Sequence, residues 1–224
     1  MKTPIKMPAP NRRAFLLTAL AALALGGAMF GHHGRAHAEG TQIPVDQLMA
    51  PEALPDLPVG SADAPVTIVE YASMTCSHCA AFYQTTYPVL KAKYIDTGKV
   101  RFILREFPLD PLATAGFMLA RCAGDDKREA IVDLLFAQQK NWAFTDKPVE
   151  SLAMLVKQAG IGQEKFETCL KDQDLYDKIN KVRDRASEKF GVTATPTFYF
   201  NGQKQSGEMT PETLEKILEP LLKS

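Results

Sequence analysis

The spacing of apolar residues along the chain changes period several times, and each change predicts an element. Residues 66–71, "VTIVEY", form a short β-branched run of the kind that makes a buried strand. The loop at 73–75 then gives way to a helical rhythm through Ala80, Ala81, Tyr83, Tyr87 and Leu90, which Gly98 ends. Pro88 falls inside that rhythm and predicts a kink. Residues 100–107, "VRFILREF", read as a second strand closed by Pro108. Strand, helix and strand make a βαβ unit, whose two strands are expected to pair in parallel. A long helical stretch follows. Leu112, Ala115, Leu119 and Cys122 share one face, and Asp125 and Asp126 offer a cap for a helix carrying Ile131, Leu134 and Leu135. Further helices are expected from Pro148 to Gly160, around Phe166, Cys169 and Leu170, and over about 173–189 before Gly191. "TPTFYF-NG-QKQSG" then predicts a hairpin turning at Asn201-Gly202, and Thr210-Pro211 starts a final helix. Pro44, Pro51, Pro55 and Pro58 forbid a long helix in residues 39–64, which read as an extended arm without a heptad.

The first 38 residues belong to a different class of segment. A basic lead precedes an apolar run from Ala14 to Gly27, too short for a spanning helix of about 20 residues. Ala36 and Ala38 supply the small-x-small pattern of a cleavage site, so residues 1–38 are expected to be a signal peptide removed on export. Arg12-Arg13 resembles a twin-arginine signal but also suits an ordinary basic leader. The full chain balances 26 basic against 26 acidic residues. The leader holds five of the basic residues and no acid, so what remains carries a net charge of −5. That charge excludes nucleic acid as a partner. Only His78 of the four histidines lies outside the leader. An exported chain with four cysteines also sits where disulfides form and persist.

The candidate chemistry is concentrated in "TCSHC", where Cys76 and Cys79 flank Ser77 and His78. A structural zinc site needs four ligands, usually in two close pairs. Cys122 and Cys169 are isolated, and His78 is cramped within the C-x-x-C, so neither zinc nor an iron–sulfur centre is expected, nor any other cofactor. A redox dithiol fits better. The motif falls where strand gives way to helix, which sets Cys76 at a helix N-terminus, where unpaired N–H groups and the helix dipole stabilise a thiolate. Cys76 is then the attacking sulfur and Cys79, one turn further in, the resolving one. His78 can add a donor or a positive charge beside the thiolate. Each pKa unit of thiolate stabilisation is worth about 1.4 kcal/mol, or about 30 mV in a two-electron couple, and makes the disulfide more oxidising.

"VTIVEYASMTCSHCAAFY" together with "GVTATPTFYFNG" resembles the DsbA-like periplasmic thiol:disulfide oxidoreductases. These have the thioredoxin fold, an α/β βαβ…ββα arrangement, with an all-helical insertion. The resemblance covers roughly residues 60–224 and implies βαβ and ββα halves at 65–108 and 191–224, with the insertion at 109–190. It implies that Cys76 is the nucleophile, that Cys79 resolves, and that Thr195-Pro196 is a cis-proline dipeptide facing the C-x-x-C and gripping substrate backbone. It also implies that Glu70 is a buried acid assisting proton transfer at the resolving cysteine. An acid within an apolar strand is costly if buried, which favours a purpose for it. Two residues depart from the DsbA prototype: Ser77 stands where that motif has proline, and Thr195 resembles isomerase members.

The expected function is therefore an exported, periplasmic oxidase that donates its disulfide to unfolded or partly folded proteins with cysteine thiols. A DsbB-like membrane partner would reoxidise it. An isomerase or reductase of the same fold is the alternative, and a peptide-binding holdase with a structural C-x-x-C is a reading of another class. A monomer is expected. In an exported oxidant, Cys122 and Cys169 are expected to form a structural disulfide, with two buried thiols as the alternative.

Overall fold

The computed structural model describes residues 42–223. The expected signal peptide and its arginine pair lie outside the described residues. A four-stranded sheet in the order β2-β1-β3-β4 carries the site. Strands β1 (Val66–Ala72) and β2 (Val100–Glu106) run parallel. Strand β3 (Thr197–Phe200) pairs antiparallel with β1 and with β4 (Gln203–Ser206). Six of the seven residues in each of β1 and β2 are buried, although β2 lies at the sheet edge, where Val59 of the arm bridges to Phe102.

A helical segment crosses from β1 to β2. It begins as α2 (Ser77–Ala81), widens to a π turn at Phe82–Thr86, returns to α3 (Tyr87–Leu90) and widens again at Lys91–Ile95. Pro88 has no N–H to offer the carbonyl one turn earlier, and the local answer is a π turn on either side of α3. The insertion comprises α4 (Pro111–Cys122), α5 (Asp125–Ala137), α6 (Gln139–Trp142), α7 (Pro148–Gln158), α8 (Gln163–Leu170) and α9 (Gln173–Phe190). Asp110 caps α4, and Asp172 caps α9, each through a backbone N–H three residues on. Helix α5 differs from expectation: Gly124, at φ +102°, occupies its N-cap, and Asp125 and Asp126 fall in the first turn, where their charge favours the helix dipole. The final helix α10 (Pro211–Leu221) starts on Thr210, whose side chain accepts from Thr213 N–H. The hairpin turn places Asn201 and Gly202 at φ +46° and +88°. A Cβ on Gly202 would lie 2.0 Å from the Ile43 carbonyl, so the turn also seats the start of the arm. Among the described residues, no helix is long and apolar enough to cross a membrane.

The arm is not simply extended. It contains one helical turn, α1 (Val45–Leu48), and it buries Ile43, Leu48 and Leu54. Two arginines hold it down. Arg105 on β2 grips Asp56 through two N–H groups, at 2.8 and 2.9 Å, and also donates to the Leu48 carbonyl, Glu52 and the Tyr71 hydroxyl. Arg185 on α9 reaches Glu52 and the carbonyls of Gln47, Ala50 and Pro51. Next to this pair, Glu106 accepts from Arg121 and Arg128 at 2.8 and 2.9 Å. Burial alone would raise the Glu106 pKa, but the two guanidinium charges outweigh it and hold it at about 2.

Cys122, at the end of α4, and Cys169 on α8 are joined by a disulfide with Cα atoms 6.1 Å apart. It closes a loop spanning 47 positions, for which the chain-entropy model gives at most about 4 kcal/mol. Cys122→Ala/Cys169→Ala should therefore lower the urea midpoint by an amount equivalent to no more than about 4 kcal/mol. An unchanged midpoint would mean that the bridge adds nothing to folding.

Candidate active site

The end of β1 delivers the chain into a tight loop. Its backbone groups are claimed from two directions. Gln139 on α6, itself buried, donates its amide N–H groups to the carbonyls of Met74 and Cys76 at 2.8 and 2.9 Å. Asp110, while capping α4, also accepts from the Thr75 hydroxyl. Ser73 Oγ accepts from Leu109 N–H. Gly116 on α4 leaves room for Met74, whose side chain would be 3.1 Å from any Cβ there. The insertion thus fixes the loop that presents the cysteines. Gln139 and Asp110 gave no signal in the sequence, because neither stands near the C-x-x-C in the chain.

Cys76 takes the N-cap of α2. Its Sγ accepts the Cys79 backbone N–H at 3.4 Å. As a thiol it donates to the Thr195 carbonyl at 3.3 Å. The Cys76 pKa is lowered to about 5. The Cys79 thiol, donating to the Cys76 sulfur, is the main cause; partial burial opposes it, and the Thr195 hydroxyl and the backbone N–H groups of Cys79 and His78 add to it. That Thr195 hydroxyl has no conventional hydrogen-bond partner, which leaves it available to the sulfur. The His78 main chain contributes to this stabilisation, and its side chain is exposed.

Cys79 is fully buried, and its pKa is pushed well up, first by burial and then by its bond to Cys76 and the nearby charge of Glu70. Glu70 on β1 has no exposed surface. Burial drives its pKa well up, the charge on Cys76 adds to this, and the Tyr83 hydroxyl partly offsets it. The neutral acid is therefore favoured beneath the two sulfurs. Thr195 and Pro196 join through a cis peptide bond, and the Thr195 carbonyl faces Cys76. Cys76, Cys79, Glu70 and Thr195-Pro196 form one cluster. Cys122 and Cys169 lie apart from it, in the insertion.

A family model described as Thioredoxin matches residues 52–220. The chain belongs to the thioredoxin family. Within it, the helical insertion makes the fold DsbA-like. The α-DsbA1 crystal structure from Wolbachia pipientis superposes with a TM-score of 0.72 at 30% identity, covering 80% of this chain and 96% of that one. Probable disulfide bond formation protein D of Bacillus anthracis is 30% identical over 172 residues, 74% of this chain and 77% of the relative. A Rickettsia conorii protein that carries the name protein-disulfide oxidoreductase is 34% identical over 168 residues, 75% of this chain. The chain spans only 60% of that relative's own length.

Two outcomes follow for this thioredoxin-family site. The 240 nm thiolate absorbance of the reduced protein should titrate with a midpoint near pH 5. A depressed pKa stabilises the fold above the unfolded thiol value of about 8.5, and the gain is lost as pH falls toward 5. The stability of the reduced protein relative to the oxidised one should therefore drop by about 1.4 kcal/mol per pH unit across that window, as read by urea titrations of both forms. Glu70 opposes this trend, but in both redox forms, so most of its effect cancels. Separately, Gln139→Leu strands the buried Met74 carbonyl, while the Cys76 carbonyl keeps the Ala80 N–H, and should cost about 2 kcal/mol in the same assay.

Proposed function

We propose that this protein is an exported thiol:disulfide oxidoreductase working as an oxidase, with Cys76 as nucleophile and Cys79 as resolving cysteine. The observation that carries the reading is the opposed environment of two sulfurs one helical turn apart. Cys76 is stabilised as a thiolate, and Cys79 is held as a thiol. A reduced form that is stable in this way makes the disulfide a ready donor.

The reaction proceeds by two exchanges. A substrate thiolate attacks Cys76 Sγ, the Cys76–Cys79 bond breaks, and its electron pair leaves on Cys79, which takes a proton from Glu70. A second substrate thiolate then attacks the substrate sulfur of the mixed disulfide. Cys76 leaves as the stabilised thiolate, the substrate gains a disulfide, and the enzyme is left two electrons reduced. Thr195 and Pro196 border the nucleophile where an extended peptide can pair with exposed backbone groups. Substrates would be exported proteins with free thiols, taken up by a monomer, and a DsbB-like membrane protein would restore the disulfide.

The expected potential follows from the thiolate. Thioredoxin combines a nucleophile pKa near 7 with a potential of about −270 mV. A value near 5 shifts that by about 60 mV, to about −210 mV or higher. Equilibration with glutathione buffers measures it, and a result near −270 mV would replace the oxidase with a reductase. In the same programme, Cys76→Ser should abolish oxidation of reduced ribonuclease, and Cys79→Ser should accumulate mixed disulfides. Undiminished oxidation by Cys76→Ser would favour the holdase.

A further inference from the structure

Each time Cys79 changes between thiol and thiolate or disulfide, a proton must reach or leave a buried place. Glu70 lies next to it with no exposed surface and with neither carboxyl oxygen in a well-formed hydrogen bond. The sheet register indicates a way out. Glu70 pairs with Leu104 on β2, and Ile68 with Phe102. Paired residues share one face of a sheet. Leu104 and Phe102 line a cavity of about 90 Å³, bounded also by Tyr83, Tyr87, Glu129 and Asp133. A water needs about 10–15 Å³ of such space, so several can enter. Tyr83 belongs to both places. Its hydroxyl interacts with Glu70, while its ring stacks on Phe136 at 4.3 Å and meets Tyr87 at 4.9 Å along the cavity wall.

We propose that Tyr83 is a positioning residue that relays protons between Glu70 and this cavity, and that Asp133 exchanges them with solvent at the cavity mouth. The inference rests on the exchange chemistry proposed above. When the Cys76–Cys79 bond opens, Glu70 gives its proton to the departing Cys79 sulfur. The Tyr83 O–H gives its proton to the Glu70 carboxylate and takes another from Asp133 or from water in the cavity. No unpaired charge remains beneath the sheet, and the only oxidant consumed is the disulfide itself. The reverse order deprotonates Cys79 for attack on a mixed disulfide.

The surrounding charges suit this traffic. Glu70 faces Cys76 and Cys79 as well as Tyr83. Tyr83 is faced by Glu70 from β1, Tyr87 from α3, and Arg128 and Asp133 from α5. Burial and these acids keep the Tyr83 hydroxyl well above its ordinary pKa, so it passes protons without resting as a phenolate. Asp133 is at the surface, yet the cavity wall crowds its carboxyl. That desolvation and then the Glu129 charge raise its pKa to about 6, against the pull of Lys91 from the second π turn. A carboxyl that titrates near the operating pH suits both giving and taking the proton.

The test uses the oxidised, purified protein and glutathione as the attacking thiol, followed by stopped flow from pH 5 to 9. Tyr83→Phe keeps the ring contacts and removes only the hydroxyl. It should slow the Cys79-linked step by at least about tenfold and enlarge its solvent deuterium dependence, while the Cys76 absorbance titration stays in place. Asp133→Asn, a change at the surface, should remove the limb of the rate profile near pH 6. Wild-type rates and profile in Tyr83→Phe would overturn the relay, and a surviving pH 6 limb in Asp133→Asn would overturn the exit. Failure of the underlying redox reading looks different: the wild-type protein would not exchange with glutathione, or Cys76→Ser would exchange equally well, and the relay would fall with it.

Discussion

The short approach between Cys79 and the Cys76 sulfur is the constraint around which the rest is arranged. Both the backbone N–H and the thiol of Cys79 are directed at Cys76 Sγ. That geometry exists only because Cys76 caps a helix and Cys79 sits one turn inside it. Negative charge is welcome at the first sulfur and excluded at the second. The same proximity would be of no use if the lower sulfur were wetted. Full burial of Cys79, with a neutral acid beneath it, keeps the two groups chemically distinct although they are neighbours.

The insertion is part of this arrangement. Gln139 and Asp110 come from helices far along the chain, yet they hold the carbonyls and hydroxyl of residues 74–76. A loop with its own polar groups turned inward would be costly to bury unless such partners were supplied. The Cys122–Cys169 bridge ties α4 to α8, and α4 is the helix that Asp110 caps and that Met74 packs against. The arm is fastened in a second way, by Arg105 and Arg185. Removing one partner from such buried pairs costs more than the pairs contribute on their own, because an unmatched charge is left inside.

Much of this was legible in the chain. β-branched runs fixed β1 and β2, Asn201-Gly202 fixed the hairpin, Thr210-Pro211 fixed the start of α10, and the position of the C-x-x-C between strand and helix put Cys76 at a cap. These are local signals, written within a few residues of where they act. The same locality explains the misreadings. The arm's prolines excluded a long helix but gave no hint of the Arg105 and Arg185 clamps. Pro88 announced a disturbance, and the surrounding packing turned it into π geometry.

The sequence by itself determined the order of strands and helices and the place of Cys76 at the start of one of them, because periodicity and capping are properties of neighbouring residues. Tertiary structure alone decided how strongly they differ. The depth of Glu70, the hydroxyl of Thr195 against Cys76 and the Tyr83 contact all depend on distances between segments up to about 125 residues apart. A pKa responds to what lies within a few ångströms in space, and only the folded chain brings those groups together.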